Sequence, residues 1–179
     1  MVTLVEHVRT HAVREGDFTL KSGRKSTWFC DAKQTTCSPE GMLLVADAAL
    51  DVIPDEVTAI GGLTMGADAV AFGVAAIAAT RGRSLRSFSV RKEVKEHGGG
   101  GRIAGALEPG DKVVIVEDAV TRGVSMLEAA DVVRSVGAEP VLLLSVVDRG
   151  GTVTAMAEEA GLPFVALVTA PDLGFDYGS

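Results

Sequence analysis

Apolar residues Leu4, Val5, Val8 and Ala12 recur at helical spacing and predict an amphipathic helix over residues 2–14 that stops near Gly16. Two short apolar runs, Phe18 to Leu20 and Thr27 to Cys30, flank Lys21-Ser22-Gly23-Arg24 and predict a small hairpin. Ser38-Pro39-Glu40 is a helix start with Pro at the first helical position, running to about Val52. From Val57 onward the pattern changes. Runs at Val57 to Ile60, Leu85 to Val90, Val113 to Val116, Pro140 to Val147 and Phe164 to Val168 predict strands, of which the apolar run at 113–116 reads as a buried parallel strand. Between them, Ala67 to Ala79, Met126 to Val136 and Thr152 to Ala160 predict helices.

Strands alternating with helices imply parallel pairing with right-handed crossovers. The expected fold is a doubly wound α/β domain with about five parallel strands flanked by helices. The N-terminal helix and hairpin, residues 1–35, fall outside the alternation and are expected to form a hood over a core of residues 36–179. At 179 residues this is one domain, large enough to bury a full core. No apolar run approaches the roughly 20 residues a bilayer requires, and the first residues lack the pattern of a signal peptide. The expected location is the cytoplasm, with Cys30 and Cys37 as reduced thiols.

The net charge of −7 argues against nucleic acid as a partner, which asks for a basic footprint. Yet seven of the 17 basic residues fall between Arg81 and Arg102. An acidic protein with one concentrated basic segment is suited to a compact polyanion.

Residues 113–125, VVIVEDAVTRGVS, carry the strongest chemical signal. A buried parallel strand presents its functional groups at its carboxyl end. Here it ends in adjacent carboxylates, Glu117 and Asp118, and a Thr/Gly/Ser turn then opens a helix. The turn, from Ala119 and Val120 through Thr121, Arg122, Gly123, Val124 and Ser125, offers backbone amides and hydroxyls at a helix N-terminus, where a phosphate is favoured. The acidic pair would repel phosphate and suits sugar hydroxyls or a divalent metal. Together they describe a site for a ribose 5-phosphate. The bland reading is an acidic helix cap, but a cap uses one carboxylate, not two.

This stretch resembles the phosphoribosyl diphosphate (PRPP) signature of the type I phosphoribosyltransferases. Two further segments, FTLKSGRKSTWFCD at 18–31 and VRKEVKEHGGGGR at 90–102, look like the substrate segment and mobile catalytic loop of the orotate phosphoribosyltransferases. With Asp148-Arg149 after a later strand, the resemblance spans nearly the whole chain.

The resemblance implies transfer of ribose 5-phosphate from PRPP to orotate, with Mg²⁺ held mainly by the diphosphate and reached through water by Glu117 and Asp118. It implies Asp118, Lys95 and His97 as catalytic groups, and Arg91 and Lys92 as further cations for the departing diphosphate. Lys21 would contact PRPP or orotate, Phe29 and Cys30 would line the base, and Arg149 would pair with the orotate carboxylate. It also implies a homodimer in which loop 91–102 completes the neighbouring site. The four consecutive glycines in that loop suit motion when the site is empty.

Thr64 and Met65 stand where many relatives carry an aromatic residue and a lysine, so diphosphate contacts there would come from backbone amides. Arg122 stands where a small residue is usual, pointing outward or adding a cation. Phosphoribosyl transfer to another base, and a PRPP-sensing regulator of the same fold, are the competing functions. His7 and His11, four apart, are read as exposed helix positions rather than a metal site, and Trp28 as hood packing.

Overall fold

Helix α1 (Leu4–His11) begins at a reciprocal cap. The Thr3 hydroxyl accepts the Glu6 amide while the Glu6 carboxylate accepts the Thr3 amide, so two otherwise orphaned donors are satisfied. The helix is shorter than its apolar spacing predicts because Val13 onward joins a strand. That strand, β1 (Val13–Thr19), pairs antiparallel with β2 (Lys25–Cys30), so the hood hairpin is longer than the two apolar runs alone indicate. The computed structural model describes residues 2–19, 23, 25–94 and 101–179. Lys21, Lys95 and His97 lie outside the described residues, as do most of the predicted hairpin turn and glycines 98–100.

A single turn, α2 (Lys33–Thr36), joins the hood to α3 (Pro39–Val52), whose cap is the Ser38 hydroxyl accepting the Gly41 amide. Then follow β3 (Ala59–Leu63), α4 (Gly66–Thr80), β4 (Arg86–Val90) and β5 (Ile103–Gly105). The remainder is β6 (Lys112–Val120), α5 (Val124–Ser135), β7 (Glu139–Asp148), α6 (Val153–Glu159), β8 (Phe164–Thr169) and a 3-10 turn at Pro171–Leu173.

Among the described residues the central sheet has six strands in the order β5-β4-β3-β6-β7-β8, one more than the alternation predicts. The extra strand is β5, which runs antiparallel along β4, pairing Phe88 with Gly105 and Val90 with Ile103. Three residues are too few to show a periodicity, so only the return of the chain beside β4 reveals it. The other five strands are parallel.

Two apolar layers sandwich the sheet. One contains Val114, Val116, Leu144 and Val146 with α3, α4 and the hood residues Val8 and Trp28. The other contains Val113, Ile115 and Leu143 with Met126, Ala129 and Val133 of α5 and Val153 of α6. Successive strand residues point to opposite faces, so β6 feeds both layers in turn. The chain winds outward from β3 through β4 on one side and from β6 through β7 and β8 on the other. The crevice at the carboxyl ends of β3 and β6 is therefore the topological switch point, where such sheets bind ligands. Among the described residues no helix is long and apolar enough to cross a membrane.

Candidate active site

Strand β6 runs past the apolar stretch to Val120, so Glu117 and Asp118 are strand residues, and both are buried. Their alternation splits their surroundings. Asp118 turns toward the hood side, where Lys33 of α2 places its Nζ 2.5 Å from Oδ2. Glu117 has the Ser125 hydroxyl of α5 as a hydrogen-bonding neighbour. Burial pushes the Glu117 carboxyl above the ordinary carboxylate range. Ser125 and Lys33 work against that rise, and the charge and hydrogen bond of Asp118 add to it. Burial would lower the Lys33 ammonium, but the hydrogen bond and charge of Asp118, with Asp31 and Glu117 behind it, raise it overall. Lys33 carries no periodicity or motif in the sequence. Only the packing of α2 against the sheet edge reveals it.

The turn after β6 follows the predicted form. Thr121, Arg122 and Val124 are exposed, Gly123 is buried at φ 72° and Ser125 is half-buried at the start of α5. Only a residue tolerant of the left-handed region fits position 123 without strain. The amides of residues 121–125 make no hydrogen bond to other described residues, whereas the Gly123 carbonyl accepts the amides of Met126 and Leu127. Arg122 is exposed, like Thr121 and Val124 beside it. A neighbouring turn braces this one: Thr152 Oγ1 donates to the Thr121 carbonyl at 3.0 Å.

After β3, Thr64 and Met65 lead into α4. The Thr64 amide is committed to the Val90 carbonyl at 2.8 Å and its hydroxyl donates to Asp68 at 2.7 Å, so neither is free for a ligand. The Thr64–Met65 peptide is cis and the Met65 side chain is largely exposed. The Met65 and Gly66 amides make no hydrogen bond to other described residues and are the donors left in this turn. Gly66 sits directly on the carboxylates: a Cβ there would lie 2.0 Å from Glu117 Oε1 and 2.6 Å from Asp118 Oδ1.

At the end of β7, Asp148 is buried and its Oδ1 accepts the amides of Gly150 and Gly151 at 2.9 and 3.1 Å. It organises its own turn and makes no ion pair with Arg149. The Arg149 guanidinium lies over the Trp28 ring, 4.2 Å from its centroid, and donates to the Trp28 carbonyl at 3.1 Å. Its Nε is buried without a hydrogen-bond partner among the described residues. Burial lowers the guanidinium pKa and the Cys30 thiol partly opposes this. Trp28 is hood packing, stacked on Phe175 with centroids 4.4 Å apart, and it is also the shelf that holds Arg149.

Strand β2 buries Ser26, Trp28 and Cys30 on one face and exposes Lys25, Thr27 and Phe29 on the other. The structure therefore separates Phe29 from Cys30. Phe29 packs beside Phe18, at 5.8 Å between centroids, while Cys30 lies close enough to Arg149 and Asp118 to feel both charges. Burial pushes its thiol up to about 11. Arg91 and Lys92, after β4, stand at the start of the loop. Arg91 exchanges hydrogen bonds with Arg102 and its guanidinium donates to the Ile103 carbonyl, and Lys92 is exposed.

His7 is not an exposed helix position. It is buried, with Nδ1 3.2 Å from Thr35 Oγ1 and its ring 4.4 Å from that of His11. Burial lowers its pKa, as does the nearby His11. The pair borders a cavity of about 540 Å³ between α1 and α3, away from the carboxylates.

A family of phosphoribosyl transferase domains matches residues 38–158, which begins where the hood ends. The orotate phosphoribosyltransferase of Rhodopirellula baltica is 36% identical over 184 residues, covering 98% of this chain and 95% of that protein. That of Streptomyces coelicolor is 40% identical over 175 residues, covering 97% and 96%. Among solved structures, Mycobacterium tuberculosis H37Rv orotate phosphoribosyltransferase in complex with PRPP aligns with a TM-score of 0.81 at 33% identity, covering 96% of this chain and 97% of that one.

Proposed function

The chain belongs to the phosphoribosyl transferase domain family, and we propose that it is an orotate phosphoribosyltransferase, transferring ribose 5-phosphate from PRPP to N1 of orotate. The products are orotidine 5′-monophosphate and diphosphate, a step in building pyrimidine nucleotides. The observation that carries this reading is the crevice beside β6. Two buried carboxylates there adjoin a turn of unengaged amides, and the neighbouring strand β7 ends at a guanidinium whose buried Nε has no hydrogen-bond partner among the described residues.

The amides and hydroxyls of residues 121–125 take the 5′-phosphate. Glu117 and Asp118 take the 2′ and 3′ hydroxyls and hold the sugar still while the bond from C1′ to the diphosphate oxygen breaks, that from C1′ to N1 forms and the N1 proton is released to solvent. The electron pair leaves with diphosphate, whose growing charge faces the Met65 and Gly66 amides. Arg149 pairs with the orotate carboxylate through its fork, with Cys30 at the base plane beside it. Phe29 stays on the outward face.

Arg91, Lys92, Lys95 and His97 supply further cations, reaching the diphosphate from the loop of a second subunit in a homodimer. His97 would donate a hydrogen bond or a proton to a diphosphate oxygen. Glu117 and Asp118 are hard oxygen donors and fit Mg²⁺ through bridging water, most of its coordination coming from the diphosphate. When bound it neutralises charge on the leaving group.

Mixing the protein with PRPP, Mg²⁺ and orotate should deplete orotate absorbance and form orotidine 5′-monophosphate. Turnover with hypoxanthine or uracil but not orotate would overturn the reading. Binding of nucleic acid without turnover of any base would do the same.

A further inference from the structure

The turn after β3 lines a site for a highly charged leaving group, yet Thr64, Met65 and Gly66 bring no charge to it. Lys33 comes from α2, outside the sheet and outside the matched family segment of residues 38–158. Among the described residues it is the only basic side chain bonded to either carboxylate. Gly66 lies against the same carboxylates, so Lys33, the acidic pair and the uncharged turn are mutual neighbours. Of the other described cations near this edge, Arg149 is held on Trp28 and Arg102 by Glu128, while Arg91 and Lys92 stand at the start of the loop after β4.

The two ends of the ion pair differ in freedom. The Asp118 side chain is 8% exposed and fixed on a central strand, whereas that of Lys33 is 44% exposed on a four-carbon stem. A sugar hydroxyl that needs the Asp118 oxygen competes with the ammonium for it, and the ammonium can move.

From this juxtaposition we infer that Lys33 is an exchangeable counter-ion, satisfying Asp118 before substrate arrives and passing to the diphosphate of PRPP when the ribose hydroxyls claim the carboxylate. The inference rests on reading the crevice as a PRPP site. It assigns to Lys33 the charge that Thr64 and Met65 lack. It also predicts that the ammonium recognises the diphosphate and not the sugar.

The test compares three ligands with and without the charge at position 33. Equilibrium binding of Mg²⁺·PRPP, of Mg²⁺·diphosphate and of ribose 5-phosphate is measured by calorimetry, with no orotate present. Lys33→Met should weaken PRPP and diphosphate about tenfold or more, the scale of one lost charge-assisted contact. Ribose 5-phosphate should bind as well as before, or better, since its hydroxyls no longer compete with the ammonium. Lys33→Arg should recover most of the diphosphate affinity. Melting curves of both variants establish that they fold.

Equal weakening of ribose 5-phosphate and PRPP would make Lys33 a support for Asp118 only and overturn the inference. Unchanged PRPP affinity in Lys33→Met would also overturn it. A wild-type protein that binds no PRPP would instead sink the underlying functional reading.

Discussion

The turn after β6 and the turn after β3 flank one crevice and are built on different plans. After β6 the working groups are consecutive: two carboxylates, a left-handed glycine, a run of unengaged amides and a helix start within residues 117–125. After β3 the local residues offer little beyond two amides and a glycine small enough to let the carboxylates in, and the cation comes from α2. A site element coded in consecutive residues fixes its own geometry through the strand that carries it. One assembled from distant segments depends on packing between the hood and the sheet.

The largest effects should come from the two glycines that hold these turns close. Gly66→Ala places a methyl 2.0 Å from Glu117 Oε1, at the far end of a side chain that can yield. The Glu117 carboxylate should swing aside, with turnover falling on the order of a hundredfold or more, as for misplaced catalytic geometry. Melting temperature should change little. Gly150→Ala instead sets a methyl 1.8 Å from the Thr121 backbone carbonyl, which cannot yield without moving the phosphate turn. That variant should lose about 1–3 kcal/mol of stability as well as activity. If Gly66→Ala melts as early as Gly150→Ala, the contrast between a yielding and an unyielding neighbour fails.

Asp118→Asn probes where the two turns meet, since it removes both a sugar acceptor and the partner of Lys33. PRPP binding should weaken by about 1–3 kcal/mol. Orotate binding should be unchanged. PRPP affinity equal to wild type would remove Asp118 from the sugar site.

The same division explains what the sequence reveals. The parallel strands, the helices between them and the phosphate turn could all be read because each is written in a run of consecutive residues. Strand β5 escaped notice because Ile103, Ala104 and Gly105 are too few to show alternation. Helix α1 is shorter than its apolar spacing predicts because Ala12 and Val13 suit either state and pairing with Cys30 decides between them. Lys33 is silent in the sequence because its meaning lies in a contact 85 residues away. His7 looked exposed because helical spacing alone does not show that α2 covers it through Thr35.

Arg149→Lys tests the third turn against the other two. It keeps the charge while removing the planar fork and the unpartnered Nε. The Michaelis constant for orotate should rise about tenfold, as expected for losing one bond of a bidentate pair. That for PRPP should stay as it is. A larger effect on PRPP than on orotate would assign Arg149 to the phosphate side of the crevice.

The smallest effect concerns stability, at Glu117. Its pKa lies above the ordinary carboxylate value mainly because burial disfavours the charged form. The fold therefore binds the Glu117 proton more tightly than the unfolded chain does. The stability this contributes is complete below the ordinary carboxylate range and is lost as pH rises through the raised value. Glu117→Gln is neutral at every pH and escapes that loss. It should melt like the wild type in solution more acid than the ordinary carboxylate range and later than the wild type in alkaline solution, by on the order of 1 kcal/mol. Because the same change removes a ribose acceptor, the gain in stability should come with weaker PRPP binding, as a site that strains the fold to keep its charge would require. A variant no more stable than wild type in alkaline solution would show that Ser125 and Lys33 already offset the burial, and that the carboxylate pair sits in the crevice without cost.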